Sequence, residues 1–149
     1  MKKFKFSLDS ILKLKRSQEE EALKLMGDAM RRRQDAYETL QAGRRHLGAL
    51  LTAIRQAREG RIDGWNQAAY LREVARQEAL CKHYEETLQK MVAEEEKARG
   101  HYIFCRRQAE ALEKLKNKRR DLYQKEADRD IERELEEIML SREGSLLCN

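Results

Sequence analysis

Apolar residues recur along this chain in alternating steps of four and three. Between residues 22 and 57 such a track is apolar at nine of its eleven positions, and one of the two exceptions is Arg33. A second track covers residues 70–112, and one of its two exceptions is Glu95. A repeat of about 3.5 residues held over several heptads is typical of two helices wound around each other in a left-handed coiled coil.

The connection between the two tracks is short. Residues 59–65 contain two glycines, which favour the end of one helix and a turn before the next. Helices joined by such a short connection lie antiparallel to each other. We therefore predict an all-α fold, a long antiparallel two-helix coiled-coil hairpin that forms a single elongated domain over residues 1–149. Helix one is expected at about residues 8–58, and helix two, the longer, at about 66–142.

The register of this hairpin follows from its turn. If the chain folds about Gly64, facing residues have numbers that sum to about 127 or 128. Gly43 then faces Tyr84, a small residue against a large one, as close packing requires. The two charged exceptions, Arg33 and Glu95, also face each other. We predict that this pair fixes the register; the alternative is that Arg33 extends out of the seam along its aliphatic stem and meets no partner.

Two of the three phenylalanines precede the first predicted helix. The same register places Phe4 and Phe6 beside Tyr123 and Leu122, so that the two rings would close the open end of the hairpin. Ser7 follows directly, and serine is a preferred residue at a helix N-cap. We therefore expect Ser7 to cap helix one.

Helix two is predicted to continue beyond the residues that the hairpin pairs. Ile131, Leu135, Ile138 and Met139 form an apolar stripe at helical spacing. With helix one shorter, roughly twenty residues would extend without an intrachain partner. An exposed stripe of this kind binds another protein, self-associates, or belongs to a helix that folds back or frays.

Basic residues are concentrated at one end of the predicted hairpin. The chain has 32 Lys and Arg against 27 Asp and Glu. The antiparallel register brings eleven basic residues together in what we call the basic cluster: Lys2, Lys3, Lys5, Lys13, Lys15, Arg16, Lys114, Lys116, Lys118, Arg119 and Arg120. We expect an acidic partner there; the alternative is a solvated helical face that serves only solubility.

The loop end has its own aromatic and apolar residues. The only tryptophan, Trp65, is followed by Tyr70, Leu71 and Val74. Tyr70 and Val74 belong to the seam, whereas Leu71 points elsewhere. These residues form a second candidate contact patch, although a tryptophan beside a tight turn is also typical of a local plug.

Composition supports an extended helical protein over a globular one. Of the 149 residues 40% are charged and only 6% aromatic, and proline is absent. This is too little bulky apolar material for an ordinary core, yet the regular apolar spacing argues against disorder. No apolar run approaches the roughly 18 residues of a membrane span, and polar residues interrupt any signal-peptide core. We expect a cytoplasmic protein without membrane insertion.

The sequence contains none of the motifs of common catalytic or cofactor sites. It has no phosphate-binding glycine loop, no HExxH and no GxSxG. Its three histidines and three cysteines lack metal-ligand spacing, and a slender two-helix fold has no concave site to perturb a carboxylate. We therefore expect a protein that is not an enzyme and that has no catalytic residue, cofactor or metal.

Three segments resemble one known family. They are FKFSLDSILKLK near the start, YLREV early in helix two, and EKLKNKRRDLYQKEADRDIERELEEIMLSR near the end. Together they are similar to the flagellar export protein FliJ family, a component of the flagellar type III export apparatus. In the last segment, residues similar to those common in the family are Leu112, Leu115, Arg119, Arg120, Tyr123, Glu126, Leu135 and Glu137.

The resemblance implies a non-enzymatic stalk, similar to the central stalk of rotary ATPases, at the flagellar base and peripheral to the inner membrane. The implied partners are the flagellum-specific export ATPase, whose ring assembly it would promote, the cytoplasmic domain of the export-gate membrane protein, and export chaperones. The residues that would bind the ATPase are Phe4, Phe6, Lys13, Lys15, Arg16, Lys116, Arg119, Arg120, Tyr123, Ile131, Leu135 and Ile138. The residues that would bind the gate or a chaperone are Trp65, Tyr70, Leu71 and Val74.

Two alternatives remain open from the sequence. One is the equivalent stalk of a virulence type III secretion system, which is physically almost the same object. The other is a nucleic-acid-binding coiled-coil arm, favoured by a pI near 9.1. Aromatic residues are not interleaved with the basic cluster and acidic residues are abundant, so nucleic acid is an unlikely partner.

Overall fold

The computed structural model describes residues 2–60 and 64–148. These residues form two helices and no strand: α1 spans Asp9–Glu59 and α2 spans Gly64–Leu147. α2 is the longer, with 84 residues against 51. The predicted all-α helical hairpin, with its second helix longer than its first, is confirmed.

The helix ends differ from the predicted ones by one to five residues. α1 begins at Asp9 and ends at Glu59, close to the expected bounds. α2 continues to Leu147, so Gly144 lies inside the helix and the predicted end near residue 142 is too early. A single glycine in a helix costs only about 1 kcal/mol relative to alanine, which the helix-forming residues on either side offset.

The chain divides into two compact units. The first unit comprises residues Met1–Glu19 and Phe104–Asn149, and the second comprises Glu20–Ile103. Each unit contains a segment of α1 and a segment of α2. In the first unit the buried apolar side chains are Phe6, Leu12, Cys105 and Ala109. In the second unit they are Ala22, Ala29, Leu40, Ile54 and Cys81.

The second unit has the antiparallel register that the sequence predicts. A Cβ atom added at Gly43 would lie 3.1 Å from two ring carbons of Tyr84 and 3.4 Å from Sγ of Cys81. Gly43 therefore faces Tyr84, as expected, and the absence of its side chain makes room for the tyrosine ring. The predicted pairing of a small residue with a large one is confirmed.

The charged pair in the seam of the second unit is also formed. Arg33 and Glu95 make a salt bridge through Nε and Oε2, and the Glu95 side chain is only 9% exposed. Arg99, one turn further along α2, donates a hydrogen bond from Nη2 to Oε1 of Glu95 at 3.0 Å. The alternative in which Arg33 meets no partner is therefore wrong, and both oxygens of this buried carboxylate are engaged by cations.

Candidate functional site

The first unit contains the short segment that precedes α1. The Phe4 ring packs against Tyr123 of α2 with ring centroids 5.7 Å apart. The Tyr123 hydroxyl donates a hydrogen bond to the backbone carbonyl of Lys2. The predicted position of Phe4 beside Tyr123 is confirmed, and the chain start is held on α2 by an aromatic contact and a hydrogen bond.

Phe6 is buried, and an arginine of α2 forms part of its cover. The Arg119 guanidinium carbon lies 5.6 Å from the centroid of the Phe6 ring, a cation–π contact. Leu122, which we expected there, is 58% exposed. Arg119 also donates from Nη1 to Oγ of Ser7 at 3.1 Å, and α1 begins only at Asp9. Ser7 thus accepts a bond from α2, and its predicted role as the N-cap is wrong.

Two cations of the basic cluster form ion pairs across the two helices of the first unit. Lys116 Nζ lies 2.9 Å from Oδ1 of Asp9, and Arg16 Nη2 lies 2.5 Å from Oε1 of Glu113. Lys13 adds a longer contact to Asp9, at 3.6 Å. Neither carboxylate was among the residues predicted from the sequence. The hairpin register places both carboxylates near the basic cluster, but it does not show which cation each one pairs with.

Asp9 is the carboxylate whose ionisation the cluster changes. The hydrogen bond from Lys116 is the largest cause, and with the charges of Lys116 and Lys13 it lowers the pKa of Asp9 below its ordinary value of 3.8. Asp9 also lies in the first turn of α1, where a negative charge is favourable. The ionised carboxylate therefore stabilises the folded first unit.

Replacing Asp9 by asparagine is expected to lower the melting temperature at pH 7 by no more than a few degrees, because an exposed ion pair contributes little. A lowered pKa in the folded state means that the contribution is present above pH 3.8 and is lost as the pH falls through the folded pKa. The gap between wild type and Asp9→Asn should therefore close in acid. Thermal melts from pH 7 to pH 2 measure this difference in melting temperature. As a control, the same comparison is made in a protein that also carries Lys116→Met, where the difference should be smaller at every pH because Asp9 has lost its main partner. A gap that does not depend on pH would contradict the assignment.

The eleven residues of the basic cluster all lie in the first unit. Nine of them are exposed, and only Lys15 and Lys116 are half-buried. Apart from the ion pairs described above, the cluster thus presents its cations mainly to solvent. An acidic surface on a partner would find them accessible.

The last part of α2, residues 124–147, we call the tail. Residues 128–148 are all exposed. Its exposed large apolar side chains are Ile131, Leu135, Ile138, Met139, Leu140, Leu146 and Leu147. Residues 124–149 carry eight Asp and Glu against four Lys and Arg, a net charge of −4. An apolar stripe on an acidic helix is therefore available to a partner, beside a basic cluster in the same unit.

An open cleft of about 460 Å³ lies where the chain start meets the tail. Tyr123 and Ile131 provide its apolar surface, and Glu126, Asp130 and Glu134 provide carboxylates. Lys2 lines the cleft from the chain start. The cleft joins the aromatic contact at Tyr123 to the apolar stripe of the tail, so these two predicted parts of the site form one surface.

The predicted loop-end patch lies in the second unit. Leu71 is 52% exposed, whereas Tyr70 and Val74 are half-buried. This agrees with seam positions for Tyr70 and Val74 and an outward position for Leu71. The side chain of Trp65 lies outside the described residues.

The described residues contain no cluster of His, Cys, Asp or Glu side chains that could hold a metal ion. Within residues 2–60 and 64–148, neither helix is apolar enough along its length to cross a membrane. The chain start, the basic cluster and the tail together make up the candidate site in the first unit.

Comparison with known proteins identifies the family. The model of the family described as "Flagellar FliJ protein" matches residues 4–142, which include all of α1, the connection and α2 up to its last five residues. No curated protein and no solved structure matched the chain in the same comparison. Because the family model covers nearly all of the sequence, the chain belongs to the FliJ family of flagellar proteins.

Proposed function

We propose that this protein is a stalk component of the bacterial flagellar type III export apparatus that binds the export ATPase through its first unit. Membership of the FliJ family supports a stalk-type role in flagellar export and a non-enzymatic one. Beyond that role, we propose the export ATPase as the partner and the first unit as the surface that binds it. It also places the protein at the inner membrane, as a peripheral component at the flagellar base.

The observation that carries this proposal is the exposed apolar stripe of the tail beside an exposed basic cluster. Ile131, Leu135 and Ile138 are 39%, 55% and 53% exposed, although they recur at the spacing of a buried helix face. Apolar side chains at such spacing favour burial against a partner. The cations beside them favour an acidic rim on that partner.

The predicted ATPase-binding residues divide into two roles. Lys13, Arg120 and the three apolar residues of the tail stripe are exposed, so they are the ones that we propose contact the ATPase directly. The supporting residues instead hold the surface in place, because six of them are buried or engaged within the chain and Lys15 is half-buried: Phe4, Phe6, Lys15, Arg16, Lys116, Arg119 and Tyr123.

The proposed mechanism is mechanical and electrostatic. The tail enters the ATPase ring, and its charged faces contact successive subunits that are in different nucleotide states. A stalk that binds those states with different affinities shifts ring assembly or turnover by the difference in binding free energy, without performing chemistry itself. The loop-end patch, with Leu71 exposed, would then bind the export-gate protein or an export chaperone.

The test is a titration of this protein into the cognate export ATPase, with ATP turnover and ring assembly as readouts. We expect the intact chain to stimulate both, and a chain truncated after Gln124, which lacks the tail, to stimulate neither. The matched control ends after Arg142 and keeps the whole stripe of Ile131, Leu135 and Ile138, so it should behave as the intact chain. Circular dichroism must show that both truncated chains remain helical.

Two results would contradict the proposal. If the intact chain changes neither turnover nor assembly, the ATPase is not its partner. If the chain truncated after Gln124 stimulates as well as the intact one, the tail is not the ring-binding element. Arbitrary duplex DNA added as a competitor addresses the nucleic-acid alternative, which predicts tight binding that falls steeply with salt.

A further inference from the structure

A second row of apolar side chains runs along α1 in the second unit, outside the seam. Leu23, Met30, Tyr37, Arg44 and Leu51 are spaced seven residues apart, and we call them the outer row. Its four apolar members are 47%, 38%, 45% and 47% exposed in chain order. Spacing by heptads keeps such residues on one face of a helix that belongs to a coiled coil. The row is therefore an apolar face that is interrupted once, by Arg44, and that is uncovered at its four apolar members.

The residues between the members of the outer row leave it open to a close approach. Gly27, Gln34, Gln41 and Gly48 lie beside the row, one turn from its members. A Cβ atom added at Gly27 or Gly48 would meet nothing within 4 Å. Glycine is among the poorest helix formers, and no contact within the chain requires it at either position. Two glycines on this face would allow another helix to come unusually close.

The outer row has nearly the same order in both directions about Tyr37. Leu23 and Leu51 are equally distant from Tyr37, as are Met30 and Arg44. Beside the row, the order glycine, glutamine, glutamine, glycine is likewise symmetric, about a point between Tyr37 and Glu38 that is half a residue from the centre of the row. A face that repeats itself when reversed is complementary to its own copy in an antiparallel orientation, which is the condition for a two-fold symmetric interface.

We propose that a second copy of this chain docks on the outer row of α1, antiparallel, with Tyr37 at the two-fold axis. Leu23 of one copy then faces Leu51 of the other. The aliphatic stem of Arg44 covers Met30. The paired glycines bring the two backbones together on either side of the axis.

Charges on this face permit the pairing. Arg44 already has its countercharge, since Nη2 lies 2.8 Å from Oε1 of Glu85, and Arg31 beside the row has Asp28 at 2.6 Å. The outer row itself contains no carboxylate. In the antiparallel register the exposed Glu20 of one copy comes near the exposed Arg55 of the other, so opposite charges meet at the ends.

The contact is long but narrow, which sets the expected affinity. From Leu23 to Leu51 the helix rises about 42 Å at 1.5 Å per residue. A single helix-to-helix strip of that length buries less than the roughly 800 Å² per partner of a standard interface. We therefore expect a reversible dimer with a dissociation constant on the order of 10–100 μM.

Sedimentation velocity of the full-length protein from about 5 to 500 μM, a range chosen to span the expected dissociation constant, tests for the dimer. Tyr37→Glu would place two carboxylates together at the axis, and we expect it to be a monomer throughout. Leu25→Glu is the matched control, because Leu25 is 51% exposed on α1 but outside the outer row. It should dimerise as the wild type does, with circular dichroism showing unchanged helix content in both variants.

Cysteine pairing tests the orientation. In a Cys148→Ser background, where the remaining cysteines are buried, Gln34→Cys mixed with Gln41→Cys should form a disulfide under mild oxidation. Neither the Gln34→Cys variant nor the Gln41→Cys variant should form a disulfide with a second copy of itself. The Tyr37→Cys variant should form one, because residue 37 lies at the proposed two-fold axis. A disulfide of Gln34→Cys with itself would indicate a parallel pair and overturn the proposal. So would a protein that stays monomeric at every concentration, or a dimer that Tyr37→Glu leaves intact. No residue of the outer row is among the proposed ATPase-binding residues, so this proposal and the proposed function fail independently.

Discussion

Replacing Leu12 by alanine is expected to destabilise the first unit by about 3 kcal/mol. Leu12 is 1% exposed, the most completely buried large side chain of the described residues. Truncation removes its apolar contacts and leaves a cavity between two helices that have few other buried side chains to collapse into it. At roughly 2–4 °C per kcal/mol for a chain of this size, the melting temperature of the cooperative unit should fall by about 6–12 °C.

Leu14 provides the control for Leu12, because it lies two residues further along α1 and is 56% exposed. Leu14→Ala should change the unfolding free energy by no more than about 0.5 kcal/mol.

The same two variants, Leu12→Ala and Leu14→Ala, separate an effect on folding from an effect on binding. If the first unit must be folded to present its surface, Leu12→Ala should weaken stimulation of the export ATPase at temperatures where that unit melts, and only there. Equal losses of stability in the two variants would contradict the burial of Leu12.

Replacing Arg33 by leucine is expected to destabilise the second unit by about 2 kcal/mol. The change leaves the Glu95 carboxylate, whose side chain is 9% exposed, with Arg99 as its remaining partner. The loss should be smaller than for a fully buried pair, because the Arg33 side chain is 34% exposed and partly screened by solvent. Chemical denaturation monitored by helix content measures it.

The double variant Arg33→Leu, Glu95→Leu should recover most of that loss. Two leucines fill the seam without a buried charge, and a buried ion pair roughly breaks even against apolar residues of similar size. Arg32→Leu is the neighbouring control. Its pair with Glu94 is 3.9 Å long and about half exposed on both sides, so it should change the unfolding free energy by less than about 0.5 kcal/mol. Equal losses in the single and double variants would show that the pair adds stability rather than specifying the register.

The seam could be predicted from sequence because periodicity alone determines which face of a helix is buried. Arg33 meets Glu95 and Gly43 meets Tyr84 because both tracks keep a strict heptad spacing through the second unit. At the start of the chain no such spacing exists. There the register predicts Leu122 beside Phe6, and it gives no indication of the arginine one turn earlier on α2 that lies over the ring.

The residues of the candidate site could be predicted from the sequence, but the ion pairs among them could not. The basic cluster and the tail stripe are visible in the sequence as charge and spacing. What spacing does not show is which cations are already paired within the chain. Arg16 and Lys116 point to Glu113 and Asp9, and such long side chains select partners by distances of a few ångströms that a residue-level register does not resolve.

The thin seam also determines how a sequence of this kind changes over evolutionary time. Most side chains of both helices face solvent, and a substitution at such a position alters the unfolding free energy by less than about 0.5 kcal/mol. Outside the proposed binding surfaces, we expect replacement at such positions to meet little selection. An insertion or deletion of one residue within a helix, by contrast, rotates every later seam position by about 100° out of the interface. We therefore expect related sequences to keep the intervals between apolar residues more strictly than the identity of the residues between them.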